Sequence, residues 1–186
     1  MKKVLLLLVG GLFVITTSTK AQTYERPLGS ELSIGISPML PVGDFSNAYS
    51  FGLGGDLKYA YNFDESIALT LSAGYNNFWG KKTTVAGVEF TPKAQGFVPI
   101  KAGVRFSAGQ FYAEPQIGVA ISTNSENDRI TKSSSSLTYA GQVGVMVNRN
   151  FDIGFRYEAI STGFNKSNGD QRTLGSLALR LGFTID

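Results

Sequence analysis

An all-β fold, an eight-stranded antiparallel up-and-down transmembrane β-barrel, is what this sequence predicts. Three observations carry the prediction. Eight stretches alternate between bulky apolar and small or polar residues, the period of a strand with two unlike faces. The connections between those stretches alternate short and long. The charges within them keep to one face.

The chain begins MKKVLLLLVGGLFVITTSTKAQ, with Lys2 and Lys3 ahead of an apolar run from Val4 to Ile15, then small residues at Thr19 and Ala21. This is the layout of a secretory signal peptide, and the run is too short to span a bilayer as a helix. Residues 1–21 are therefore expected to be removed between Ala21 and Gln22, leaving 22–186 as the barrel domain; an uncleaved anchor is the alternative. Cleavage takes away Lys2, Lys3 and Lys20 but no acid, so the formal net charge of +3 falls to zero. The basic balance thus belongs to the leader, and no nucleic-acid partner is expected, since that requires a basic patch on the mature domain.

Eight strands follow in order. In ELSIGIS, Leu32, Ile34 and Ile36 share a face against Glu31, Ser33 and Ser37. FGLGGDLKYAYNF places Phe51, Leu53, Leu57, Tyr59, Tyr61 and Phe63 opposite Gly52, Gly54, Asp56, Lys58 and Asn62. IALTLSAGYNNFW sets Ile67, Leu69, Leu71, Tyr75 and Trp79 against Thr70, Ser72 and Asn76. GFVPIKAGVRF sets Val98, Ile100, Ala102, Val104 and Phe106 against Lys101, Gly103 and Arg105. FYAEPQIGVAI sets Phe111, Ile117, Val119 and Ile121 against Glu114, Gln116 and Gly118.

TYAGQVGVMV gives Tyr139, Val143, Val145 and Val147 one side, with Met146 the apolar exception on the other. FDIGFRYEA turns Phe151, Ile153, Phe155 and Tyr157 away from Asp152, Arg156 and Glu158. RTLGSLALRLGFTI closes the series, with Leu177, Leu179, Leu181, Phe183 and Ile185 opposite Arg172, Ser176, Arg180 and Gly182. Pro99 and Pro115 lack ladder donors inside two of these strands, so a bulge or local distortion is expected at each.

Residues 64–66, 107–110 and 148–150 read as tight turns, whereas 40–50, 80–95, 122–137 and 161–171 read as longer polar loops. In an up-and-down barrel this puts all tight turns at one rim and all long loops at the other. No helix-period stretch or linker marks a second domain.

A soluble barrel of the lipocalin type would carry the same alternation with the faces exchanged. Lipid outside is favoured here on three grounds. The polar face is small and glycine-rich while the apolar face is nearly free of charge, and a charge facing lipid near the midplane costs about 2 to 4 kcal/mol. The polar faces collect acids (Glu31, Asp56, Glu114, Asp152, Glu158) and bases (Lys58, Lys101, Arg105, Arg156, Arg172, Arg180) in similar numbers, a set that can pair across a narrow interior as a structural charge network. Aromatic residues bracket the strands: Phe63, Phe106, Phe111 and Phe151 lie beside the tight turns, and Phe51, Tyr75, Trp79, Tyr139 and Tyr157 lie nearer the long loops.

With eight such segments behind a signal peptide, the chain resembles the outer-membrane β-barrel family that includes the small OmpA- and OmpX-like barrels. LPVGDFSNAYSFGLGGDLKYAYNFDESIALTLSAGYNNF, Leu40 to Phe78, is similar to first-loop and second-hairpin sequences of the porin-family barrels of Bacteroidetes bacteria. The resemblance covers residues 31–186. It implies the cell outer membrane, reached through the periplasm, with lipid, lipopolysaccharide and, during insertion, the barrel-assembly machinery as partners, and a monomer. One departure is plain: many such barrels end in an aromatic used in assembly, whereas here Phe183 is followed by Thr184, Ile185 and Asp186.

Chemistry is scarce in the residues. Cysteine and histidine are both absent, which removes thiol nucleophiles, disulfides, a lipidated cysteine, the commonest general base and the commonest metal ligand. No catalytic, cofactor-binding or metal residue is assigned, and no cofactor is expected. Enzymes of this architecture lean on histidine with serine or carboxylates, so only a serine–lysine or carboxylate pair is left open. GLGGDL, Gly52 to Leu57, lacks phosphate-loop spacing, and its glycines read as lumen-facing or bulge positions. NSENDR, Asn124 to Arg129, has no EF-hand spacing and reads as a solvated tip running into Ser133–Ser136. Lys81, Lys82 and Lys93, with Arg129, Lys132 and Lys166, belong to the long-loop rim. Contact of Lys81 and Lys82 with lipopolysaccharide phosphates is one reading, and a solvated loop the other.

The expected function is a non-enzymatic outer-membrane barrel whose lumen is filled by its own side chains, with a structural or loop-mediated recognition role. A narrow porin-like channel and a soluble periplasmic ligand-binding barrel are the alternatives.

Overall fold

The structure, a computed structural model, describes residues 28–85, 88–123, 135–162 and 172–185. The expected leader therefore lies outside the described residues. In chain order the elements are β1 (Gly29–Val42), the single-turn helix α1 (Phe45–Ala48), β2 (Tyr49–Asn62), β3 (Ile67–Gly80), the short strands β4 (Thr83–Val85) and β5 (Val88–Phe90), then β6 (Gln95–Ala108), β7 (Phe111–Ser122), β8 (Ser135–Met146), β9 (Phe151–Thr162) and β10 (Arg172–Ile185).

The eight long strands close into one antiparallel barrel, each beside its neighbour in the chain, with β10 returning to β1 and β4–β5 standing apart as a hairpin. Followed once around, the pairings run from Leu32 through Tyr59, Leu71, Ala102, Ile117, Tyr139, Ala159 and Gly175 back to β1 at Val42, ten residues further along the strand. That stagger is the tilt by which a closed sheet satisfies every strand edge. It removes the unpaired edge that hydrocarbon could not tolerate.

The faces settle the inside–outside question that periodicity leaves open. Leu32, Ile34, Ile36, Leu57, Leu69, Leu71, Ile117, Val143, Phe155 and Leu179 point outward and are about half exposed, while the charged partners on the opposite faces are buried. A soluble barrel has the reverse arrangement. A girdle of exposed apolar side chains is far larger than the patches that water-soluble monomers carry.

The tight turns are built by local chemistry. Asp64 Oδ1 accepts from the backbone N–H groups of Ser66 (2.7 Å) and Ile67 (2.8 Å), and Asn148 Oδ1 accepts from Asn150 (2.9 Å) and Phe151 (2.8 Å). Both are Asx-type closures. Between β6 and β7, Gly109 takes φ +58°, a conformation that suits glycine.

Two details differ from the sequence reading. Strand β1 runs to Val42 and β2 starts at Tyr49, so the first long loop is shorter than 40–50, because Leu40 continues the outward row and α1 occupies most of the connection. Ser135, Ser136 and Leu137 belong to β8 and pair with Ile121, Ala120 and Val119, whereas the tip at 124–134 lies outside the described residues. At Pro99 and Pro115 the expected irregularity is a local distortion and not a bulge. Pairing lapses for two residue pairs beside Pro99, on its β3 side, and beside Pro115, on its β6 side, yet the register is the same before and after. Pro38 does the same between β1 and β10. Each missing N–H costs a local gap and leaves the alternation intact.

Candidate functional site: a charge-filled lumen beneath an apolar layer

The period of two that sends bulky residues outward sends Glu31, Asp56, Lys58, Lys101, Arg105, Glu114, Asp152, Arg156, Glu158 and Arg180 into the lumen. Five acids and five bases meet there. The side chain of Arg172 lies outside the described part of the molecule.

Near the tight turns Glu114, fully buried, is the hub. It accepts from Lys58 Nζ (3.1 Å), Arg105 Nε (2.9 Å) and Thr70 Oγ1 (3.0 Å), and also from Gln116 Nε2. Arg105 also reaches toward Glu31 at 4.0 Å. At mid-height Arg180, 0% exposed, donates through Nε to Asp56 (3.0 Å), through Nη1 to Asp152 (3.1 Å) and through Nη2 to Ser33 (3.2 Å). Towards the long loops, Glu158 accepts from Lys101 Nζ and from Asn76 Nδ2 (3.2 Å). Arg156 spans Asp56 at 3.7 Å and Glu158 at 3.5 Å.

Tyr112 ties these groups together, and the sequence reading had passed over it. Its hydroxyl donates to Asp152 Oδ1 (2.7 Å) and accepts from Gln142 Nε2 (2.7 Å), while Arg105 stacks 5.0 Å from its ring centroid. Through Tyr112, Arg180 and Asp56, all ten charged groups form one connected web, anchored on all eight barrel strands.

Glycine makes room for it. A Cβ on Gly35 would sit 2.7 Å from Arg180 Nε, and one on Gly154 would sit 2.7 Å from the Tyr112 hydroxyl. Gly52 and Gly54 likewise face Phe78 and Asn76. The register shift in β2–β3 falls between Tyr49 and Phe51, so these two glycines serve packing and not a bulge.

Towards the long-loop end of the lumen the large side chains are apolar, with Gln95 donating to Ser122 (2.7 Å) beside them. Met39, Phe45, Tyr49, Phe78, Phe97, Ala120, Ile160, Leu174 and Ala178 form one buried cluster. Phe45, carried on α1, lies 4.8 Å from the rings of both Tyr49 and Phe78, and Phe78 lies 6.2 Å from Phe97. The cluster was not anticipated from sequence. The signal was available in adjacent aromatics: neighbours on a strand point opposite ways, so Phe78 beside the outward Trp79, and Tyr112 beside the outward Phe111, must both turn inward.

Among the described residues no group of three or more potential ligands is placed to hold a metal ion. The lumen carboxylates are engaged by cations. Lys81 and Lys82 are exposed at the long-loop rim, where the Lys81 backbone N–H donates to Ala48 O (2.8 Å) and joins the second loop to the first. Lys93 is exposed as well, and Arg129, Lys132 and Lys166 lie outside the described residues.

Residues 5–183 match the family described as the outer membrane protein beta-barrel domain. The chain belongs to this family. It is a protein of the cell outer membrane. No curated protein matches it. Among solved structures it is similar to Ail, the attachment invasion locus protein of Yersinia pestis, in complex with the heparin analogue sucrose octasulfate, at 20% identity and TM-score 0.52 over 86% of this chain and 100% of that one. It is also similar to designed transmembrane β-barrels (13% identity, TM-score 0.52, 87% of this chain and 100% of that one). The N-terminal β-barrel domain of Pseudomonas aeruginosa OprF matches at 16% identity and TM-score 0.51, over 85% and 98%. At these identities the likeness is one of fold.

Proposed function

We propose that this barrel is a non-enzymatic, monomeric outer-membrane protein whose lumen is closed by its own side chains and whose work is done by the long-loop rim. The observation that carries the reading is the filled lumen: a ten-charge web with balanced signs, roofed by a buried aromatic cluster. Eight strands enclose an interior that side chains just fill. With the interior committed to packing, the loops remain as the surface that meets partners. That a barrel of the same shape, Ail, is known in complex with a heparin analogue supports loop-mediated recognition as a use of this architecture.

At the rim, Lys81 and Lys82 follow Trp79 after a single glycine, Gly80, and Trp79 stacks on Phe51 at 5.8 Å on the lipid side. Aromatic pairs of this kind favour bilayer interfaces, which supports contact of the two cations with lipopolysaccharide phosphates. Planar-bilayer recordings test the closed lumen, and stable, reproducible conductance by the wild-type protein sinks it. Replacing Lys81 and Lys82 with Gln tests the phosphate contact: co-purifying lipopolysaccharide should fall, and unchanged retention argues for a merely solvated loop.

A further inference from the structure

The lumen has two layers of opposite character, and they need not contribute equally to closing it. The web of ion pairs is polar throughout. Its side chains are long, its hydroxyl and amide groups are potential ion ligands, and some contacts are loose, as with Arg156 at 3.5 and 3.7 Å from its two carboxylates. Above it, Met39, Phe45, Tyr49, Phe78, Phe97 and Leu174 converge from five neighbouring strands of the barrel and from the first loop, each between 0 and 6% exposed. The buried polar groups in register with it are few and small in reach, with Gln95 donating to Ser122 at 2.7 Å, so an ion entering such a constriction would lose its water and gain little in replacement, the condition under which narrow apolar segments close pores by excluding water.

We infer that the apolar layer, and not the charge web, is the ion barrier, with Phe45 on the first loop as its stopper. This rests on the closed-lumen reading above. Phe45 is the only member of the cluster that comes from α1, and its ring fills the space between Tyr49 and Phe78. It belongs to no strand ladder, so the seal can be changed without cutting the barrel. The helix that carries it follows Gly43 at φ +63°.

The experiment compares full-length wild type, Phe45→Ser, Phe45→Leu, Phe97→Ser and Lys101→Met in planar bilayers bathed in potassium chloride, with heat-modifiable gel migration reporting folding for each. Wild type, Phe45→Leu and Lys101→Met should stay silent, while Phe45→Ser and Phe97→Ser should show discrete conductance steps. Because Phe45 lies outside the ladder and Phe97 within it, loss of folding in one leaves the other to decide. Silence of folded Phe45→Ser and Phe97→Ser overturns the apolar barrier, as does conduction by Lys101→Met alone. Conduction by wild type instead removes the closed-lumen reading on which the inference rests, so the two failures are distinct.

Discussion

Arg180 shows how much one lumen residue can hold. Its guanidinium serves Asp56 and Asp152 at once and is 0% exposed, so removing it strands two carboxylates inside the barrel. Breaking a buried ion pair by deleting one member costs about 3 to 5 kcal/mol, more through the orphaned charge than through the lost attraction. Arg180→Leu should therefore lower stability to urea in lipid vesicles by about that amount, whereas Lys81→Leu, on the exposed rim, should change it by less than about 0.5 kcal/mol. Equal effects would argue that Arg180 is solvated. Tyr112→Phe is a subtler probe: it keeps the ring under Arg105 but deletes the hydroxyl that bridges Asp152 and Gln142. The expected loss is about 1 to 3 kcal/mol, the range for leaving buried polar partners unsatisfied, and an unchanged unfolding midpoint would remove Tyr112 from its role as junction.

At the scale of the element, each strand was legible because lipid outside and charge inside impose the same two-residue rule along its whole length. Asp56 and Lys58 in β2, Lys101 and Arg105 in β6, and Asp152 and Arg156 in β9 could each be assigned a face by counting. What counting could not assign was an apolar residue on the polar side. Phe78, Phe97, Met39 and Tyr112 carry no polarity label, and Phe45 lies in a loop where no period applies, so the roof of the lumen and its junction were both missed. The loop limits were misjudged for a related reason. Leu40 and Ser135 sit where polar and apolar residues mix, and only cross-strand partners decide where a ladder stops. Turns were legible because they depend on local side-chain chemistry. Asp64→Ala removes two acceptor contacts from the β2–β3 turn and should cost about 1 kcal/mol. The loss should appear in urea unfolding without any change in heat-modifiable migration, and a collapse of the folded band would mean that the turn specifies the register by itself.

For the whole molecule, the decisive physical fact is which solvent each face meets. A one-residue slip of β2 would move Asp56 and Lys58 to the outside, and Leu57 with Tyr59 to the inside, so a single strand error exchanges all its faces at once. The closed ladder opposes this, because β2 is fixed by β1 on one side and β3 on the other along nearly its whole length. Leu57 is the sharpest place to test the assignment of solvents. It pairs with Ile34 and Ala73 near the middle of the barrel wall and is 48% exposed, so in a bilayer it faces hydrocarbon and in water it would be an ordinary surface position. Leu57→Arg should lower the free energy of folding into vesicles by about 2 to 4 kcal/mol, the depth-dependent cost of a lipid-facing cation near the midplane. Arginine at Tyr61 or Phe63, two and three steps nearer the turn rim on the same outward row, should cost progressively less as the side chain reaches the interface. A flat response across the three positions would mean that this row does not cross the hydrocarbon.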